Sequence, residues 1–254
     1  DIERGTHMRI QGISGSLGVA VGNVYKYIQE EIVIPDYEVT DDQVEAEIGK
    51  FASAMAATLK QLDTIRQKAL VDMGADEAAI FEAHMQIAQD PSLSDGIKSL
   101  VENSKMNVVA ATAQTIETFA AIFIGMDDPY MRERGADIKD IGDRLMRNML
   151  GMNPRGLSHI SGEVIIVAHD LAPSDTASLD KNVVKGIVTA AGGPTSHAAI
   201  MARTLEIPAV MGVGDIESFT DDVRAVVLGT DGEVITEPSD EEWERYTKEA
   251  ADFQ

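Results

Sequence analysis

Cysteine is absent from the 254 residues, which excludes a disulfide framework and thiolate chemistry and leaves nothing that requires an oxidising compartment. Long apolar runs are missing as well. None approaches the roughly 20 residues needed to span a bilayer, and no secretory leader pattern precedes the first strand-like segment, so a soluble cytoplasmic protein without membrane contact is expected. Positive charge is scarce: 21 Lys and Arg stand against 43 Asp and Glu, a formal net charge of −22. Such a chain repels nucleic acid and anionic membrane and steers basic partners toward itself, although acidic surfaces also serve solubility and salt adaptation. No internal repeat, low-complexity tract or Gly-rich nucleotide loop is visible.

What is present is a 44% hydrophobic chain, enough for one large domain or two modest ones. The opening DIERGTH reads as an expression remnant ahead of Met8 and is set aside, His7 with it. Residues 8–35 are rich in glycine and β-branched side chains, a strand-and-turn pattern. From Thr40 to Gly151 the pattern turns helical. Thr40-Asp41-Asp42-Gln43 forms a capping box before Val44, Ile48, Phe51 and Met55. Helices are expected over about 44–73, 76–89, 93–101, 108–124 and 129–150, the last opening on Pro129 and stopping at Gly151. Strands return with EVIIVAH, GIVTA, PAVMGV and RAVVLGT, and DEEWERYTKEAADF reads as a terminal acidic helix.

The expected organisation is a discontinuous α/β domain (8–39 and 152–236), a helical insertion (40–151) and a C-terminal linker helix (237–254). The 8–35 segment is too small to bury a core alone, so it must join the later strands.

One stretch carries chemistry: AAGGPTSHAAIMARTLEIPAVMGV, residues 190–213. The glycines permit a tight turn, Thr195 or Ser196 is a suitable N-cap, and His197 then sits in the first turn of a short helix, where unpaired N–H groups and the helix dipole attract an anion such as phosphate. A neutral imidazole is a competent nucleophile near pH 7. On the pattern alone, a packed histidine in a capped helix fits as well. A metal-ligand role lacks partners, because no His, Cys or acidic residue lies at helical spacing on the face of His197.

This stretch resembles the phosphohistidine motif of the Enzyme I family, the phosphoenolpyruvate–protein phosphotransferases. DLAPSDTASLD (170–180) is similar to the segment that precedes the active histidine there. GISGSLGVAVG, EAAIFEAHMQIAQD and DDPYMRERGADIKDIGDRLMRNMLG resemble further segments in the same order. The resemblance implies a phosphohistidine (swivelling) α/β domain with an inserted all-α helical bundle. His197 would be phosphorylated on Nε2 and exchange the group with a histidine of an HPr-type carrier protein, and Thr176 would bond the other ring nitrogen. Thr195, Ser196, Gly193 and Arg203 are the candidate phosphate contacts, with capping and a solvated helix charge as the competing roles. Glu82, His84, Ile87, Met131 and Arg134 match the carrier-binding face, core packing being the competing role for Ile87 and Met131. Many family members carry arginine where this chain has Pro194, and acidic positions of the family near the second helix are here Ala75 and Asp76.

No cofactor is expected in this stretch of chain. The resemblance assigns phosphoenolpyruvate, magnesium and dimerisation to a C-terminal barrel, which leaves this part monomeric. Two rival readings are the mobile domain of a pyruvate phosphate dikinase or phosphoenolpyruvate synthase, and a non-catalytic module that binds a partner through the helical insertion.

Overall fold

The computed structural model describes residues 7–153, 156–157, 160–177 and 179–253. The chain divides into two compact units, one made of residues 1–29 and 156–254, the other of 30–155.

The first unit is built on an eight-stranded mixed sheet. Its strands are β1 (Met8–Gln11), β2 (Ile13–Ser16), β3 (Val19–Tyr27), β4 (Val164–Ala168), β5 (Val184–Thr189), β6 (Ala209–Met211), β7 (Arg224–Leu228) and β8 (Glu233–Thr236), in the spatial order β1-β8-β7-β3-β4-β5-β6-β2. The central ladder β3-β4-β5-β6 is parallel, while β7, β8 and β1 on one flank and β2 on the other pair antiparallel. Parallel strands are covered on both faces and read as unbroken apolar runs. Val164–Ala168 is buried at every position, as that rule requires. Each wholly buried Val or Ile here, among them Ile165, Val188 and Val210, contributes about 1.5–3 kcal/mol.

The helical unit comprises α1 (Val44–Asp72), α2 (Ala75–Ala88), α3 (Pro91–Ser104), α4 (Val108–Ile124) and α5 (Pro129–Met149). A single 3-10 turn, Asp41–Gln43, precedes α1, and Gln43 Oε1 accepts from the Thr40 N–H at 3.1 Å. Phe51, Ala54, Thr58, Leu62, Ile65 and Ala69 form the buried stripe of α1 at helical spacing. α4 lies close on α5 at Gly142, where a Cβ would stand 2.7 Å from Ile116 Cγ1.

Two expected boundaries move. The segment 30–39 belongs with the helices, not with the sheet. Asn107 Nδ2 donates to the carbonyls of Pro35 and Tyr37 at 2.9 and 3.0 Å, and the Val39 N–H donates to Lys105 at 2.9 Å. The helix after residue 237, here α8 (Asp240–Phe253), packs on β3 and belongs to the α/β unit, with Trp243 and Tyr246 against Val226, Leu228 and Ile235. It covers part of one sheet face, over β3, β7 and β8, which the linker reading did not foresee. Residues 1–6 of the opening remnant lie outside the described residues. His7 does not: its Nδ1 lies 3.0 Å from the Glu237 carbonyl, continuing the β1 edge.

Candidate functional site

Parallel strands end at the same edge of a sheet, and loops leaving their carboxyl ends form the natural binding crevice of such folds. Two of these loops, after β4 and after β5, build the site. The one after β4 carries α6, a single helical turn (Pro173–Thr176). The one after β5 makes the 190–196 turn and enters α7 (His197–Thr204). Backbone bonds fasten the two together, from Ala190 N–H to Ala168 O and from Ala191 N–H to His169 O, each 3.0 Å.

The turn is set by Gly192. Its φ is +89°, and a Cβ there would press on Ser196 Cβ at 3.2 Å. Gly193 does not share the positive φ, and its carbonyl accepts from both the N–H and the hydroxyl of Ser196 at 3.1 and 2.8 Å. Ser196 is the N-cap, its Oγ accepting from the Ala199 N–H at 3.2 Å. The capping role therefore occupies the Ser196 hydroxyl as donor and as acceptor. Thr195 is exposed beside it.

His197 is half-buried at the first position of α7. Thr176, fully buried, stands with Oγ1 3.4 Å from His197 Nε2 and 3.1 Å from the Pro173 carbonyl. The expectation that Thr176 engages the ring nitrogen not used for phosphate is corrected here: the contact is to Nε2 itself. Ring orientation is a matter of χ2, which no sequence pattern specifies. At 3.4 Å the contact is a weak hydrogen bond, a tether that holds the ring at small cost to its release.

Arg203 is exposed, as a solvated helix charge would be, yet its guanidinium is also engaged. Its guanidinium donates to Gly15 O at 2.7 Å and to Pro194 O at 2.8 Å, clamping β2 to the turn before α7. A planar fork of fixed donors suits that task better than a lysine would. Pro194 thus contributes its carbonyl to the clamp. A cleft of about 880 Å³, lined among others by Lys181, Lys185 and Arg203, includes neither His197 nor Thr176.

In the helical unit the expected docking residues separate into two groups. Glu82 is exposed, and Ile87, Met131 and Arg134 are half-buried, with Ile87 packed on the bundle core. His84 is 1% exposed and cannot meet a partner. It lies on the inward stripe of α2 with Phe81 and Ala88, its Nε2 3.1 Å from Asp137 Oδ1 and its Nδ1 3.8 Å from Asp140 Oδ2 on α5. The i, i+3, i+7 spacing of Phe81, His84 and Ala88 was the sequence signal for this burial. The structure adds exposed apolar side chains that the sequence reading passed over: Ile122, Ile124, Met126 and Tyr130, at the end of α4 and the start of α5. Gly135 lets these helices close up, since a Cβ there would lie 2.6 Å from Ile124 Cγ1.

Comparison with known proteins places these features in a family. Residues 11–134 match the model for the N-terminal part of PEP-utilising enzymes, and residues 160–232 match the model for the mobile domain of PEP-utilising enzymes. The phosphoenolpyruvate-protein phosphotransferase of Listeria monocytogenes is 42% identical over 245 residues, 96% of this chain and 42% of that protein. The one of Geobacillus stearothermophilus is 40% identical over 246 residues, again 96% of this chain and 42% of the relative. The chain therefore spans about two fifths of the length of these curated relatives. Among solved structures, the solution structure of Enzyme I (nEIt) superposes with a TM-score of 0.86 at 36% identity, covering 96% of this chain and 99% of that one. The N-terminal domain of Enzyme 1 – Nitrogen shares the fold, with a TM-score of 0.66 at 24% identity over 94% and 98% of the two chains.

Proposed function

The chain belongs to the family of PEP-utilising enzymes, and from that premise we propose that it carries a phosphoryl group on His197 and exchanges it reversibly with a histidine of an HPr-type carrier protein. The observation that carries the reading is the joint placement of His197 at the start of α7 and of buried Thr176 within reach of its ring. Nucleophile, anion-attracting helix start and orienting hydroxyl then stand together. Phosphoryl transfer asks mainly for positioning and for stabilisation of charge on the transferring oxygens. Backbone N–H groups in the first turn of α7 and the Thr195 side chain supply the latter in this reading, while Ser196, Gly193 and Arg203 hold the turn rigid. The His197 ring turns away from Thr176 to present Nε2. Its lone pair forms the new phosphorus–nitrogen bond as the carrier's phosphorus–nitrogen bond breaks and the carrier ring recovers its lone pair.

The helical unit docks the carrier in this account, through an apolar centre at Ile87 and Met131 flanked by Glu82 and Arg134, and extended by Ile124 and Tyr130. The acidic composition favours a basic partner. A mobile domain of the dikinase type would not account for the 11–134 match, which takes in most of the helical unit. Phosphoenolpyruvate, magnesium and dimerisation belong, in the same reading, to chain outside the span shared with the curated relatives. Among the described residues no helix is long and apolar enough to cross a membrane, which is compatible with the cytoplasmic setting we propose.

The test is intact mass after incubation with phosphorylated carrier. One added phosphoryl group, lost on mild acid treatment and mapped to the peptide holding His197, is expected. Tight carrier binding with no change in mass would instead support a non-catalytic binding module.

A further inference from the structure

We propose that Tyr27 is a positioning residue for the chemistry at His197, acting through Asp175 and the helical turn that carries Thr176. The inference rests on the reading of His197 given above. Tyr27 closes β3 and is 9% exposed. Its hydroxyl donates to Asp175 Oδ1 at 2.7 Å and accepts from the Gly156 N–H at 3.0 Å. Asp175 is wholly buried, and its Oδ2 accepts from the Ala172 N–H at 2.8 Å. One carboxylate thus caps the start of α6 and binds the sheet at the same time.

α6 needs that anchor. It has four residues, and an isolated first helical turn is unfavourable because it fixes several dihedrals for very few hydrogen bonds. A buried hydrogen bond to a carboxylate is among the stronger restraints a side chain supplies. The residue after Asp175 is Thr176, whose Oγ1 meets His197. Gly156 is where the chain re-enters the α/β unit after the 30–155 span, and Tyr27 stands two residues before it leaves. A single hydroxyl therefore joins the departing strand, the returning chain and the turn that orients the reactive ring.

Because Tyr27 acts through Thr176, its effect is bounded by that of Thr176. Four proteins test this: wild type, Tyr27→Phe, Thr176→Val and the double variant. Each is assayed for single-turnover phosphoryl transfer from phosphorylated carrier, carrier affinity, thermal midpoint and the ¹⁵N shifts of the His197 ring. Tyr27→Phe is expected to slow transfer by roughly tenfold, inside the hundredfold range for a misplaced group. It should also move the ring shifts and leave carrier affinity unchanged. In the Thr176→Val background it should add no further loss. Wild-type rate and wild-type ring shifts in Tyr27→Phe would overturn the proposal, as would losses that multiply in the double variant, since a merely structural tyrosine acts independently of Thr176. Should Tyr27→Phe not fold, Asp175→Asn is the second probe: an amide keeps only one acceptor oxygen, so either the Tyr27 hydroxyl or the Ala172 N–H loses its acceptor, and unchanged ring shifts there would equally overturn the proposal. If wild type takes no phosphoryl group, the reading of His197 fails, while the ring shifts still report whether Tyr27 orients it.

Discussion

In the α/β unit the candidate reactive group is fixed by a network of bonds to the backbone: strand ends, a Gly192 turn, a Ser196 cap and an Arg203 clamp converge on the turn that carries His197. In the helical unit the candidate docking residues stand on helix faces and keep part of their surface exposed, with Glu82 outward and Met131 and Arg134 half-buried. The first arrangement places one atom closely, as group transfer demands. The second spreads contact over several side chains, as partner recognition demands. If that division is right, damage to the first unit changes rate and damage to the second changes affinity.

The largest expected effect is at His197. His197→Ala should abolish acceptance of the phosphoryl group, a loss on the order of a thousandfold or more given the barrier a nucleophile removes. The thermal midpoint should stay near wild type, because the side chain is only half-buried. Retained labelling of this variant would break the comparison at once. Next comes a pair within the helical unit. Met131→Ala should weaken carrier binding by about tenfold, roughly 1–2 kcal/mol for an interface centre, mostly through faster dissociation. His84→Ala should instead cost about 2 kcal/mol of stability, because it empties a buried site facing Asp137 and Asp140. Calorimetry and titration on the two variants separate those outcomes, and a folded His84→Ala protein with selectively weakened docking would contradict the buried placement.

His84 also marks how far sequence reasoning reached. The bounds of α4 were legible because Asn107 caps its start and Gly125 follows its end, and the turn before His197 was legible because Gly192, Ser196 and the apolar run have fixed conformational meanings. The joint at residue 30 was not. Ile32, Val33 and Ile34 have strand-like side chains, yet this segment pairs with no strand of the sheet and is held by the side chain of Asn107 and the carbonyl of Lys105. The links among Tyr27, Asp175 and Gly156 span 129 and 148 positions, and no local pattern reports contacts of that separation. The choice of Nε2 at Thr176 depends on a side-chain torsion, and the role of Arg203 on two carbonyls brought near by the fold.

Smaller effects sharpen the comparison. Thr176→Val should slow transfer by roughly tenfold with carrier affinity intact, since a positioning contact is lost and no docking contact is touched. Glu82→Gln should lower the association rate by only a few-fold at low salt and converge with wild type as ionic strength rises, because exposed charge acts mainly on encounter.

The most direct test of the division between the units is a saturation curve: single-turnover phosphoryl transfer measured by rapid quench at increasing phosphorylated carrier, for wild type, Thr176→Val and Met131→Ala. The account predicts that Thr176→Val lowers the maximal rate at an unchanged half-saturating concentration, and that Met131→Ala raises the half-saturating concentration at an unchanged maximal rate. The reverse pattern, or both parameters moving together in both variants, would contradict it.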